Sequence, residues 1–376
     1  MDWFPLLAGI LPTWFYFLTI SAGHIAIVVF FLNRIYSIPF SRWTLKLLKY
    51  SSVVLALAGP VFLYLNGFGE FPYWGICFAV GFCLPVLWLG RVLQPPPHVQ
   101  ITNHTKTIDV ARQLGHLPLG RGKLRHLARL PGNQVFHVDF TEKTFHLPQL
   151  PAEWDGLTIL HLTDLHFKGC PDKEFFQHVM DQCREPVPDL VAVTGDIVDS
   201  WKHHRWVAPV LGRLRWKVAG FAILGNHDFW HDPRLTRRRL KRIGLRVLDN
   251  RWEQIEVRGQ PMVVIGHEGP WFTPAPDLAG CPDGVFRLLL THTPDNIDWA
   301  KRHQVGLALA GHNHGGQVRI PLIGSVFVPS SYGRRYDCGT FHEPPTLMHV
   351  GRGLAGQEPI RYFCKPEVTR IVLRTR

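Results

Sequence analysis

The chain has 376 residues, enough for a membrane part together with a large globular core. Its formal net charge of +12 fits a nucleic acid, an anionic membrane surface or an anionic substrate as partner, and equally fits basic loops beside membrane helices. The seven cysteines contain no CxxC pair, which argues against a disulfide framework or a zinc–thiolate site and favours a reducing compartment.

Three apolar stretches occupy the N-terminal region, at about residues 11–32, 50–65 and 73–89. Each is close to the roughly 20 residues that cross a bilayer, although the last two are a little short. No basic region precedes the first stretch, so a signal peptide is not indicated. Buried core helices are the alternative, but three such stretches in succession predict a membrane region of about three helices over residues 1–94.

The charges of the loops predict an orientation. Four basic residues and no acid lie between the first two stretches, whereas the next loop, residues 66–72, has no base. The four are Arg34, Arg42, Lys46 and Lys49. The positive-inside rule therefore places the first loop, and everything after the third stretch, in the cytoplasm.

Three prolines, Pro95, Pro96 and Pro97, stop the third helix, because proline cannot continue a helical hydrogen-bond ladder. Residues 95–134 are basic and are predicted to form a linker, either a surface helix on anionic headgroups or a solvated connector. From residue 135 to 376 short apolar runs alternate with helical spacing. This alternation predicts an α/β domain with at least partly parallel sheets.

Polar residues of metal-binding types follow five of the predicted strands. In an open α/β sheet ligands bind at the carboxyl ends of strands, and Asp, His and Asn coordinate divalent metals. One such motif alone would be weak evidence. Five in order predict a metal site, because several ionisable side chains gathered in one place need the charge of metal ions to compensate them. The motifs are Asp164-Leu165-His166, Gly195-Asp196-Ile197-Val198-Asp199, Gly225-Asn226-His227-Asp228, His292, and Gly311-His312-Asn313-His314.

This ordered set resembles the calcineurin-like metallophosphoesterase superfamily, from about Gly156 to the C-terminus. Three later segments resemble its bacterial membrane-associated branch, which includes phosphoesterases of lipid-linked phosphates, among them a UDP-2,3-diacylglucosamine pyrophosphatase. Asn313 stands where Thr is commoner in the family. The segments are residues 311–321, residues 330–333, and Val350-Gly351-Arg352-Gly353 with Pro359-Ile360-Arg361.

The resemblance implies a four-layer α/β/β/α sandwich after the transmembrane bundle, with two divalent ions. Manganese is the expected metal, with iron, zinc, nickel or magnesium as alternatives. A hydroxide between the ions would attack phosphorus. The implied ligands are Asp164, His166, Asp196 and His314 for one ion, and Asp196, Asn226, His292 and His312 for the other.

His227 is the implied general acid or transition-state stabiliser. Either Asp199 or Asp228 would orient its ring, and a helix cap is the alternative role for Asp228. Arg334 and Arg335 are predicted to bind substrate phosphate, with a solvated loop as the alternative.

The sequence thus predicts a membrane-anchored dinuclear-metal phosphohydrolase of a phosphoester or pyrophosphate bond, in a lipid-linked substrate. We expect it in a bacterial inner membrane with the catalytic domain facing the cytoplasm. The alternatives are a nuclease or cyclic-nucleotide phosphodiesterase and, on the same fold, a non-catalytic binding scaffold. The membrane stretches and the lack of an aromatic basic groove argue against a nucleic acid partner.

Overall fold

The computed structural model describes residues 12–66, 72–147 and 150–375. Their internal contacts divide the chain into two compact units. The helical unit comprises Met1–Pro95 with Pro329–Gly333, and the α/β unit comprises Pro96–Val328 with Arg334–Arg376. The start of the first predicted span, at Leu11, and most of the loop predicted between the second and third spans lie outside the described residues.

The helical unit contains α1 (Thr13–Ile35), α2 (Arg42–Asn66) and α3 (Pro72–Val92). All three are long and apolar enough to cross a membrane, which makes them candidate membrane spans. Helix α2 begins earlier than the predicted span, so it also carries Lys46 and Lys49. Much of its outer surface is exposed and apolar, a pattern suited to lipid rather than water.

Close backbone contact joins α1 to α3. A Cβ atom at Gly23 would lie 1.8 Å from the carbonyl oxygen of Cys77, so only glycine fits there. His24 joins all three helices, since its Nδ1 lies 2.7 Å from the Tyr73 hydroxyl and its Nε2 lies 2.9 Å from the Leu55 carbonyl. Small residues at the contact and a buried polar bridge are typical of helices packed within a membrane.

The first layer of the α/β unit is a seven-stranded sheet in the order β1-β2-β15-β3-β4-β5-β6. Strands β3, β4, β5 and β6 are parallel, and β15 lies between β2 and β3, antiparallel to β3. The strands are β1 (Gln100–Asp109), β2 (His137–His146), β3 (Leu157–Leu162), β4 (Leu190–Thr194), β5 (Ala219–Ile223), β6 (Arg246–Val247) and β15 (Glu367–Arg374).

The second layer is a six-stranded sheet in the order β13-β14-β10-β9-β8-β7. Its central strands β14, β10, β9 and β8 are parallel. A separate two-stranded ribbon pairs β11 (Arg319–Ile320) with β12 (Gly324–Ser325). The strands of the second sheet are β7 (Trp252–Val257), β8 (Gln260–His267), β9 (Phe286–Thr291), β10 (Leu307–Ala310), β13 (Gly339–Glu343) and β14 (Thr346–Val350).

Two hydrophobic cores define the layers. Along β3, Ile159 packs between the two sheets, whereas Leu160 and Leu162 pack on the opposite face against helices. This alternation follows from the two-residue period of a strand buried on both faces. The predicted sandwich of sheets and helices is confirmed. The helices are α4 (Val110–Leu114), α5 (Lys173–Gln182), α6 (Val207–Leu211), α7 (Asn226–Trp230), α8 (Pro233–Arg242) and α9 (Ile297–Arg302).

The structure differs from the linker predicted over residues 95–134. Residues 100–109 form β1, an edge strand that pairs antiparallel with β2. Threonine side chains join the two strands, with 2.8 Å between the hydroxyls of Thr102 and Thr144. The partner of β1, β2, is one continuous strand of ten residues. β1 is polar on both faces because it lies at the sheet edge, so it lacks the alternation that marks a half-buried strand.

Candidate metal centre

The seven predicted metal ligands lie just after five strands, three in one sheet and two in the other. β3, β4 and β5 are parallel neighbours, as are β9 and β10, so their carboxyl ends gather residues that are far apart in the chain. Six of the seven side chains are buried and His314 is partly exposed. The ligands are Asp164 and His166 after β3, Asp196 after β4, Asn226 after β5, His292 after β9, and His312 and His314 after β10.

Most of these side chains fall into two groups, in each of which one ligand atom per residue lies within 4.8 Å of the others. The first is Asp164, His166 and His314, and the second is Asp196, His292 and His312. Asn226 adjoins the second group, because its Oδ1 lies 3.1 Å from Nε2 of His292. The resemblance assigns these two groups to different ions, and that assignment stays a prediction. His166 also lies in a third group, with Asp199 and His227.

Asp196 lies between the two groups. Its Oδ2 is 3.3 Å from Nε2 of His292 in the second group and 3.6 Å from Nε2 of His166 in the first. Its Oδ1 accepts a hydrogen bond from the backbone N–H of His227 at 2.8 Å, which fixes the carboxylate. The Asp196 carboxylate thus contacts histidines of both groups, and its predicted bridging role stays a prediction.

Three of the histidines are held through Nδ1 by an oxygen atom, so that Nε2 faces the cluster. An acceptor at Nδ1 fixes the proton there and leaves the Nε2 lone pair for a metal. The pairs are His166 with Asp199 Oδ2 at 3.1 Å, His292 with the Thr194 carbonyl at 2.8 Å, and His314 with the Ala355 carbonyl at 3.0 Å.

The unsatisfied atoms of the cluster fit a metal. Nε2 of His312 is buried and has no hydrogen-bond partner. Nε2 of His166 lies 3.1 Å from Nε2 of His314, two ring nitrogens that point at each other. Because buried polar groups are normally paired, the unpaired Nε2 of His312 fits a role as a metal ligand, and imidazole with carboxylate suits divalent transition metals.

Backbone strain concentrates at the same residues. Five of the seven have positive φ, a conformation uncommon outside glycine and costly unless the surrounding structure enforces it. The five are Asp164 (52°), His166 (43°), Asp196 (52°), His312 (69°) and His314 (50°). Strain of this kind is typical of functional sites.

Glycine is required where the motifs approach one another. A Cβ atom at Gly311 would lie 2.3 Å from Oδ2 of Asp164, and one at Gly225 would lie 2.2 Å from Oδ1 of Asp196. Any larger residue would therefore displace a carboxylate of the cluster.

Burial and neighbouring charge set the protonation of the cluster. Burial alone would raise the pKa of Asp164, but nearby histidines, His314 foremost, hold it well below its usual range. Burial, reinforced by His292, lowers the pKa of His312 to about 3. Burial also lowers the pKa of His314 to about 3, although Asp164 opposes this shift. The carboxylate is therefore ionised and these two rings are neutral at pH 7, the forms that coordinate metals. By contrast, burial alone would lower the pKa of His292, but Asp196 raises it to about 9, so a metal ion would have to displace a proton from that ring.

His227, the predicted acid, lies beside the cluster. Its Nδ1 lies 2.6 Å from Oδ1 of Asp199, and its Nε2 lies 4.0 Å from Oδ2 of Asp196. Of the two aspartates considered as its partner, the structure therefore selects Asp199. Asp228 instead accepts backbone N–H groups of Gly225 and Val198, both at 3.0 Å, which is the capping alternative.

The sequence did not reveal three further neighbours of the cluster. The Gln357 side chain lies 2.9 Å from Nε2 of His227. The Trp271 ring centroid lies 4.9 Å from that of His312. The buried Arg361 guanidinium donates to the carbonyl of His314 at 3.1 Å. Gln357 and Trp271 lie on irregular segments outside the motifs, and Arg361 appeared only in the family-like C-terminal stretch.

Arg334 and Arg335 have contacts away from the cluster. The Arg335 guanidinium pairs with Glu343 Oε1 at 2.7 Å, and it is largely exposed. The Arg334 guanidinium donates to the carbonyl of Ile323 in the two-stranded ribbon. Neither contact involves a predicted metal ligand, so a role in binding substrate stays a prediction.

Comparisons with known proteins agree with the motifs. The family model for calcineurin-like phosphoesterases matches residues 157–316. YkuE of Bacillus subtilis, an uncharacterized metallophosphoesterase, is 30% identical over 63% of this chain and 86% of its own length. The phosphodiesterase YaeI of Escherichia coli is 30% identical over 57% of this chain and 81% of its own length.

A third relative is more distant. The UDP-2,3-diacylglucosamine pyrophosphatase LpxG of Chlamydia muridarum is 21% identical over 61% of this chain and 88% of its own length. The resemblance that the motifs indicated is confirmed. The chain therefore belongs to the calcineurin-like phosphoesterase family and is a metal-dependent hydrolase of phosphoester bonds.

Proposed function

We propose that this chain is a membrane-attached phosphohydrolase in which seven residues hold two divalent ions. The observation that carries the proposal is the pair of buried His/Asp groups with Asp196 between them. Mixed imidazole, carboxylate and amide ligation suits manganese and also iron, zinc, nickel or magnesium. The ligands are Asp164, His166, Asp196 and His314 on one side, and Asp196, Asn226, His292 and His312 on the other.

When bound, two such ions act as Lewis acids on a phosphoryl group and provide a water-derived nucleophile near neutral pH. The chain's own residues hold and protonate the substrate. Oδ1 of Asp199 lies 2.6 Å from Nδ1 of His227, and this charged contact holds the ring beside the cluster. From there Nε2 can donate a proton to the leaving oxygen. The Gln357 side chain contacts the same nitrogen and limits the rotation of the His227 ring.

The proposed substrate is a lipid-linked phosphodiester or pyrophosphate. Three candidate membrane spans would keep the α/β unit at a bilayer and raise its effective concentration towards lipid substrates. LpxG, one of the relatives, is described as a pyrophosphatase of UDP-2,3-diacylglucosamine. Arg334 and Arg335 belong to this proposal as contacts for an anionic headgroup, because guanidinium pairs bidentately with phosphate.

The proposed location is a bacterial inner membrane with the α/β unit in the cytoplasm. Arg42, Lys46 and Lys49 lie at the start of α2, just after the end of α1. Cytoplasmic loops carry such an excess of bases, which supports this orientation.

The test uses full-length protein purified in detergent and depleted of metal. Release of UMP from UDP-2,3-diacylglucosamine is measured with and without Mn²⁺, beside hydrolysis of a soluble bis-aryl phosphodiester. We expect both substrates to be cleaved only with metal, and Asp196→Ala to abolish both activities. Asp277→Ala, which changes an exposed aspartate, is the matched control and should retain them.

The outcomes separate the parts of the proposal. Cleavage of the bis-aryl ester alone would retain the metal site and exclude the nucleotide lipid, and phospholipids would be tested next. Hydrolysis of a cyclic nucleotide in preference to every lipid would favour the phosphodiesterase alternative. A protein that cleaves none of them with any divalent metal would contradict the proposed function.

A further inference from the structure

The two-stranded ribbon of the α/β unit follows the predicted ligand His314 in the chain, and it carries exposed apolar side chains. We define the apolar hairpin as residues 318–323 together with Phe363. Leu322, at its tip, is 77% exposed and Phe363 is 65% exposed. Val318, Ile320 and Ile323 are exposed as well. A cluster of five exposed apolar side chains is more than single surface residues require, so it indicates a contact surface.

The base of the apolar hairpin is tied to the cluster. Val318 forms a β-bridge with Tyr362, which places Phe363 next to the ribbon. The Arg319 guanidinium donates to the carbonyl of Gly315 at 3.2 Å and to Asp337 Oδ2 at 2.9 Å. Gly315 directly follows the predicted ligand His314. These contacts therefore fix the base of the apolar hairpin next to the predicted metal ligands.

Two bulky residues of the apolar hairpin have a strained backbone conformation. Leu322 has φ of 68° and Phe363 has φ of 52°. Positive φ at bulky residues is a genuine outlier, and such strain persists where the surrounding structure and function require it. Here it accompanies the exposure of the two most accessible apolar side chains of the hairpin.

The residues that follow the apolar hairpin in the chain indicate that a membrane is its partner. Pro329–Gly333 groups with the helical unit rather than with the α/β unit. A Cβ atom at Gly333 would lie 3.1 Å from the Arg34 guanidinium, and Arg34 lies in the last turn of α1, a candidate membrane span. Only a few residues therefore separate the apolar hairpin from a segment that contacts the end of a span.

The charge near the hairpin is also suited to a bilayer. Arg334 donates to the carbonyl of Ile323, and the exposed Arg335 follows it. Apolar side chains flanked by guanidinium groups are typical of surfaces that insert among anionic headgroups.

We propose that the apolar hairpin inserts into the interfacial layer of the lipid bilayer and holds the metal site at headgroup depth. The proposal rests on the membrane attachment proposed above, but not on the identity of the substrate. A lipid-linked phosphate could then reach the site without leaving the membrane.

The direct test places a benzophenone amino acid at position 322 of the full-length protein in liposomes that contain radiolabelled phosphatidylglycerol. The matched control carries it at position 117, because Leu117 is also an exposed leucine of the α/β unit. After irradiation we expect lipid adducts from position 322 and none from position 117. Adducts at both positions, at neither, or to a second copy of the protein would overturn the proposal.

A kinetic test measures the consequence. Leu322→Glu should lower hydrolysis of a vesicle-embedded lipid substrate about tenfold, the lower end of the effect of burying one leucine, and should leave the soluble bis-aryl ester within about twofold. Leu117→Glu should change neither rate. Equal losses on both substrates would show a structural role for Leu322 and count against the proposal. If the wild-type protein cleaves no lipid, the proposed substrate fails while the photocrosslinks still decide the position of the hairpin.

Discussion

Two clusters of buried charged groups lie in the α/β unit and differ in how their charges are compensated. In the ionic cluster, Arg352 pairs with Glu367 and Asp139, each at 3.1 Å, and Thr107 donates to Asp139 at 2.6 Å. In the metal cluster, formed by the seven predicted ligands, a ring nitrogen is left without a partner and five residues have strained backbones. Both clusters lie next to strands of the seven-stranded sheet, so burial alone does not distinguish them.

The difference shows how to separate structure from function among buried polar residues. A cluster that satisfies its own charges needs nothing further and contributes to folding. A cluster that leaves lone pairs and strain unresolved is prepared for a ligand. The following changes should therefore affect stability in one cluster and activity in the other.

The largest effect is expected from Asp164→Asn in the metal cluster. The change is isosteric but removes the negative charge that a divalent ion needs, so kcat/KM should fall by about 1,000-fold or more. The thermal midpoint of the metal-free protein should move by only a few degrees, because the amide keeps the shape of the side chain and an oxygen that can accept the backbone N–H of His312. Hydrolysis of the bis-aryl ester and differential scanning fluorimetry measure the two effects. An active variant with unchanged metal content would contradict the assignment.

The opposite pattern is expected from Arg352→Met in the ionic cluster. Removing the guanidinium takes away the cation that pairs with the buried carboxylates of Glu367 and Asp139. They would keep only weaker contacts, among them the backbone N–H of residue 352 and the Thr107 hydroxyl, so the free energy of unfolding should fall by about 3 kcal/mol. The folded protein should keep kcat within about threefold, since no cluster ligand is changed. Arg213→Met is the matched control, because Arg213 forms an exposed pair with Asp181 that is worth at most about 1 kcal/mol. Urea denaturation in detergent measures the free energy of unfolding of both variants. Equal decreases in Arg352→Met and Arg213→Met would show that the ionic cluster does not stabilise the fold more than an exposed ion pair does.

Acid should reveal the same interaction. Burial alone would raise the pKa of Glu367, but Arg352 and His349 lower it to about 2. A lowered folded-state pKa means that the stabilisation is present above the unfolded value of 4.5 and is lost as pH falls towards 2. The difference in free energy of unfolding between wild type and Arg352→Met should therefore become smaller below pH 4.5, by about 1.4 kcal/mol per pH unit. A gap that stays constant from pH 6 to pH 3 would show that the charge of Glu367 is not involved.

A smaller effect is expected from Asp199→Asn, at the edge of the metal cluster. Oδ2 of Asp199 contacts Nδ1 of His166 and Oδ1 contacts Nδ1 of His227, but an amide has only one oxygen and would direct its NH₂ at one of the two rings. Activity should fall about 10- to 100-fold while metal content stays unchanged. Loss of a metal ion instead would show that Asp199 is itself a ligand, together with His166 and His227.

The parts that could be predicted from the sequence are those that a regular period or an ordered motif encodes. Strands β3, β4 and β5 are short apolar runs with metal-binding residues directly after them, and parallel pairing brings those residues together. The long apolar helices follow from composition alone. The seven predicted ligands come from the family resemblance, which needed the order of five motifs because each motif alone is common in loops.

The parts that could not be predicted depend on tertiary contacts. β1 is a polar edge strand whose partner, β2, lies after a long irregular segment, so it looked like a linker. β15 comes from the C-terminus and is inserted between β2 and β3, a pairing that no local pattern encodes. Gln357 and Trp271 reach the cluster from irregular segments. Asp and His adopt positive φ more readily than most residues, but the residue types alone do not show that Asp164 and His312 do so here.

The central claim is that the metal cluster holds two ions, with Asp196 between them. The most direct measurement is the metal content of the full-length protein after Mn²⁺ loading and desalting, by mass spectrometry, together with its electron paramagnetic resonance spectrum. We expect about two manganese ions per chain with a spin-coupled signal, and loss of the coupling in Asp196→Asn. One ion per chain, or two without magnetic coupling, would contradict the account.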